Sequence, residues 1–127
     1  MKIRNYELLT ISQNFNIIDN VENENLTLPM QFWNKLENNR RLIMPYLETY
    51  NKLVKKVLDE YNLTHDDNGR VNVNELEVEQ QQEFELKLNE LLNVENEINV
   101  ETFDISNLNI EVPRKFYKAI SFMTKEN

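Results

Sequence analysis

The chain has 127 residues, a formal net charge of −8, one Gly, one His and no Cys. Its length predicts one domain with a core of its own, and 40% apolar against 28% charged residues predicts a folded protein. Without Cys there is no disulfide, thiolate catalyst or Cys-type zinc or iron–sulfur site; one Gly argues against a phosphate-cradling loop and for long helices, and any catalytic triad would have to be built on His65.

Met1-Lys2-Ile3-Arg4-Asn5-Tyr6-Glu7 contains no apolar run of secretory type, and no segment reaches membrane-spanning length. The expectation is a cytoplasmic protein with no membrane partner. Residues 5–18 predict a short amphipathic helix burying Leu8, Leu9, Ile11, Phe15 and Ile18, with a strand over Lys2–Leu9 as the alternative. Asp19 to Asn25 is polar and turn-prone, a connecting loop. Thr27 can then cap a helix with Pro29 in its first turn, where a missing N–H costs nothing.

That helix carries Phe32, Trp33 and Leu36 and continues to about Tyr61. Leu36, Ile43, Leu47, Tyr50, Val54, Val57 and Tyr61, with Arg40 the only polar seam residue, alternate steps of four and three. This is the coiled-coil spacing, which turns one stripe toward another helix. Pro45 lies inside the run and would cost about 3 kcal/mol in a straight helix. Because the stripe keeps phase across it, one kinked helix is favoured over two.

Asn68-Gly69 suits a two-residue hairpin turn, with Leu63 and His65 facing Val71 and Val73. Asn74 can cap the next helix, which runs to about Val94 with Leu76, Phe84, Leu88, Leu91 and Leu92 on one side and Leu86 widening it. Two long helices joined by a short ribbon lie antiparallel, so Lys52, Lys55 and Lys56 are expected near Glu83 and Glu85. Residues 97–105 alternate like a strand, Leu108, Ile110 and Val112 continue in extended style, and Pro113 opens a final helix burying Phe116, Tyr117, Ile120 and Met123. The fold class is mainly α with minor β: a long kinked helix antiparallel to an acidic one, a small β element and short terminal helices.

The acidity is local. Glu75 to Glu101 holds nine Glu and one Lys, while residues 1–74 sum to −1 and 102–127 to +1. Such a surface repels nucleic acid and suits a basic partner, although a solvated helix face explains it too. Glu79, Glu83 and Glu85 are therefore candidate partner-binding residues, and Trp33 a candidate anchor beside Phe32 and Met30, with core packing as its alternative.

Residues 64–75 resemble a calcium loop of EF-hand type. Asp66, Asn68 and Glu75 supply oxygen ligands, Gly69 the bend and Val71 the apolar position, while Thr64 stands where a carboxylate is usual. An Asn-Gly hairpin explains the same residues without metal. Paired catalytic carboxylates are not discernible, since the acids lie on solvated faces without a matching base. Arg40, Arg41, Lys52, Lys55 and Lys56 interleave with Tyr46 and Tyr50, but the net charge argues against a nucleic-acid face.

Glu37 with Arg40 and Arg41, Leu58-Asp59-Glu60-Tyr61, the turn Asp67-Asn68-Gly69, the acidic stretch Glu83–Leu92 and Ile98-Asn99-Val100 follow one another in an order that resembles a family of short, uncharacterised proteins from phages of low-GC Gram-positive bacteria. The resemblance implies a phage or prophage origin and carries over no catalytic residue. The leading expectation is a non-enzymatic phage protein that binds other protein and itself, as an assembly factor or virion component, without a cofactor. The alternatives are an acidic inhibitor of a host nucleic-acid-binding or defence enzyme, and a calcium-binding module at 64–75.

Overall fold

The computed structural model describes residues 1–21, 28–66, 68, 70–105 and 112–125. The polar run 22–25, Thr27 as a cap, Gly69 of the turn, and Leu108 and Ile110 lie outside the described residues. A short strand β1, Lys2–Arg4, leads into α1, Asn5–Val21. Helix α1 buries Leu8, Ile11, Phe15 and Ile18, one stripe at helical spacing, with Leu9 half-buried. It runs through Asp19, where a loop is expected from the sequence. The Arg40 guanidinium donates to both Asp19 carboxylate oxygens, at 2.8 and 3.2 Å, which rewards the extra turn.

Helix α2, Met30–Glu60, is continuous through Pro45. Pro45 has no N–H for the carbonyl of Arg41, but both residues lie on the exposed side, so water can take that bond. The seam of α2 is shared between two neighbourhoods. Phe32, Leu36, Ile43 and Leu47 join the main core with α1 and the C-terminal segment, and Val54, Val57, Leu58 and Tyr61 form a second cluster with Phe84 and Leu88. Helix α3, Val78–Leu92, supplies those last two residues.

Helices α2 and α3 run antiparallel. Tyr61 meets Phe84 edge-on at 5.6 Å, Lys87 pairs with Glu60 at 2.7 Å, and Tyr46, far back along α2, donates to the Glu97 carbonyl just past the end of α3. The expected pairing of Lys52, Lys55 and Lys56 with Glu83 and Glu85 does not form. Glu83 instead accepts from the Tyr61 hydroxyl at 3.2 Å, because α3 approaches α2 from the flank that carries Glu60 and Tyr61.

The entry to α3 also differs from expectation. Asn72, not Asn74, is a cap: its Oδ1 accepts from the Asn74 N–H at 3.1 Å and starts a 3₁₀ turn, Val73–Glu75. Glu77 then precedes α3, with its N–H donating to Gln80 Oε1. The ribbon before it shrinks to one antiparallel bridge, His65 with Val71.

Strand β2, Glu95–Glu97, pairs antiparallel with β1, placing Ile3 opposite Asn96. The single strand expected over 97–105 does not form. Asn39, fully buried on α2, takes both backbone groups of Glu101, interrupting the alternation between Ile98 and β3, Phe103–Asp104. Strand β3 pairs in parallel with β4, Thr124–Lys125. Between them Pro113 precedes the short α4, Arg114–Ala119, and a 3₁₀ turn, Ser121–Met123. Phe116, Ile120 and Met123 enter the core as expected, whereas Tyr117 is exposed because α4 turns its opposite side inward. No helix among the described residues is long and apolar enough to cross a membrane.

Candidate interaction surface

At 3.6 residues per turn, the buried stripe of α3 is Gln81, Phe84, Leu88, Leu91 and Leu92, all buried or half-buried. The outward side then carries Glu79, Glu83, Leu86 and Glu90, all exposed. Leu86 is 60% exposed and sits among these acids, so it does not widen the apolar face as its spacing suggests. Glu85 is exposed as well but falls on the other edge of the helix, beside Val78 and Asn89.

Lys87, the one cation of α3, is already engaged. Its ammonium holds Glu60 at 2.7 Å and lies 5.2 Å from the centre of the Tyr61 ring. The hydrogen bonds to Glu60 and Tyr61 push its pKa up from the ordinary lysine range. Glu79, Glu85 and Glu90 make no ion pair among the described residues, so the negative potential of this face is left uncompensated.

Trp33 is half-buried rather than projecting. Its ring lies 5.1 Å from Phe32 and 6.3 Å from Phe116, part of an aromatic cluster with Phe103. The structure therefore separates the two sequence candidates, placing Trp33 against the core and the acids on the outer side of α3.

A groove of about 620 Å³ lies on the other flank of α2, where α1 ends. Tyr50, Val54, Leu58 and Leu63 form its floor with Leu9 of α1, and Lys55 and Asp59 stand along the rim. Helix α1 runs antiparallel to α2, from Leu9 near Tyr50 to Asp19 at Arg40, so the groove continues its track. Sequence reading missed this groove, since its residues belong to the seam assigned to helix packing. The half-buried Tyr50 phenol, held above its ordinary pKa by desolvation, is the visible sign that the seam is incompletely covered.

Compared with family models, with curated proteins and with solved structures, the chain matches none.

The candidate calcium ligands are only partly gathered. Thr64, Asp66, Arg70, Asn72 and Glu75 line a hollow of about 210 Å³, but Asn68 is not among them. Asp66 Oδ1 accepts the N–H groups of Asn68 and Arg70 at 2.9 and 2.8 Å, closing the turn internally. Among the described residues no group of three His, Asp or Glu side chains is placed to hold a metal. With His65 exposed at the hairpin, the chemistry on offer is recognition: an acidic ridge with an apolar centre on α3, and an apolar groove beside α2.

Proposed function

We propose that this is a non-enzymatic interaction protein of phage or prophage origin, acting in the host cytoplasm or the virion as an assembly factor and binding both a basic protein partner and itself. The observation that carries the reading is the outer face of α3, where Glu79, Glu83 and Glu90 surround the exposed Leu86 while the one cation of the helix is held by Glu60. An apolar side chain ringed by like charge suits a partner whose apolar pocket is ringed by the opposite charge. The ring steers and orients, and the centre supplies desolvated contact.

The same acids favour a second reading, an inhibitor that occupies a basic nucleic-acid groove on a host enzyme. The two differ in what is recovered. Immobilised protein exposed to a lysate of a low-GC Gram-positive host should retain a basic protein and release it as salt rises. Glu79→Lys/Glu83→Lys/Glu90→Lys should lose that partner, and Glu85→Lys, on the other edge, should keep it. A retained set unchanged by the triple reversal contradicts the reading. A nuclease or other nucleic-acid-binding enzyme in the lost set selects the inhibitor.

A further inference from the structure

Lys52, Lys55 and Lys56 are exposed and make no ion pair among the described residues, and the α3 ridge is likewise uncompensated. The two surfaces are complementary in charge, yet they lie on different flanks of the molecule and do not meet within one chain. Lys55 stands on the rim of the groove, with Lys52 less than one turn before it and Lys56 next to it. In a chain of net charge −8, this is a local concentration of positive charge beside an apolar floor.

We infer that the groove beside α2 is the docking site for α3 of a second copy of this chain, with Leu86 of one copy seated on Tyr50, Val54 and Leu58 of the other and Glu79 and Glu83 facing Lys52 and Lys55. The groove volume of about 620 Å³ accommodates a leucine together with the aliphatic stems of its neighbours. The Tyr50 hydroxyl has no hydrogen-bond partner among the described residues, so it is a donor available to an incoming carboxylate. Asp59 is the one acid among the lining residues and sets which end of the groove the ridge avoids. The contact is between unlike surfaces, so each copy carries one of each and can engage two neighbours.

Docking of this kind presupposes that the acidic ridge of α3 binds protein, as proposed above, and adds what it binds. Sedimentation and light scattering on three forms test it: the wild type, Lys52→Glu/Lys55→Glu, and Glu79→Lys/Glu83→Lys. All four positions are exposed, so both variants should keep the circular dichroism of the wild type. The wild type should rise in mass with concentration, each variant alone should stay monomeric, and an equimolar mixture should associate again because the exchanged charges match. Leu86→Ser should weaken the wild-type association at least tenfold without altering charge.

A wild type that remains monomeric at about 1 mM overturns the docking, since no useful affinity lies beyond that range. Association that survives both reversals, or variants that do not recover on mixing, also overturns it. Capture of a basic partner that still depends on Glu79, Glu83 and Glu90 would then stand by itself, so the two readings fail separately.

Discussion

The side-chain amide of Asn39 is bonded in both directions to the backbone of Glu101. Nδ2 donates to the Glu101 carbonyl at 2.9 Å, and the Glu101 N–H donates to Oδ1 at 2.7 Å. A buried side chain thereby does what a neighbouring strand would do, fastening an extended segment to the middle of α2. Asn39→Ala leaves both backbone groups without partners and should cost about 1–3 kcal/mol in urea denaturation. Asn39→Asp should fare no better, because it removes the donor and buries a charge. Either variant at wild-type stability would show the clamp to be incidental.

Arg40 and Asp19 separate charge from packing. Their side chains are 26% and 45% exposed, so Asp19→Asn should cost under about 1 kcal/mol. Arg40→Ala should cost more, because the guanidinium also lies 4.9 Å from the centre of the Phe15 ring and its stem covers apolar surface. Equal costs for the two substitutions would mean that the stacking contributes nothing.

Helix α3 predicts a contrast along its own length. Phe84→Ala removes the centre of the second cluster and should cost about 3–5 kcal/mol, while Leu86→Ser, at an exposed position, should change stability by less than about 0.5 kcal/mol. Thermal or urea melts of the two variants read this directly. A large loss from Leu86→Ser would place that residue in the core.

Tyr50 gives a pH dependence. Burial holds its phenol above the ordinary tyrosine value, so the folded protein favours the neutral form. The associated stability is fully present below about pH 10, the unfolded value, and is lost as pH rises through the raised folded value. In an absorbance titration, Tyr50→Phe should remove a late-ionising tyrosine and shift the onset of alkaline unfolding upward. An unchanged titration curve at high pH would contradict the burial.

Calcium offers a fourth check. With Asp66 occupied by two backbone N–H groups, about 1 mM calcium should leave the thermal midpoint unchanged, whereas a loop that bound it at that strength would raise the midpoint by mass action.

Much of this architecture is legible in the residue pattern, and the exceptions have identifiable causes. The stripe from Leu36 to Tyr61 marks α2 because one face must be apolar at helical spacing wherever it is buried, and Pro45 escapes penalty by lying on the opposite side. The same stripe cannot say which neighbour covers which turn, so the groove at Tyr50 and Val54 stays hidden. Asn39 is illegible because a polar residue at a core position reads as exposed until its partner, far along the chain, is known. The pairing of β1 with β2 joins the chain start to residues 95–97 through backbone groups that carry no sequence signal. On α3 the acids are evident, but only the packing of Phe84 and Leu88 decides that Glu79, Glu83, Leu86 and Glu90 form one outward ridge and Glu85 does not.

Carbodiimide footprinting of carboxylates, with and without the protein partner retained by the wild type, tests the central claim most directly. Glu79, Glu83 and Glu90 should lose most of their labelling in the complex, while exposed Glu37 and Glu48 on α2 should label as in the free protein. Protection confined to α2, or labelling of the three α3 glutamates that is the same in both states, would contradict a binding role for this face.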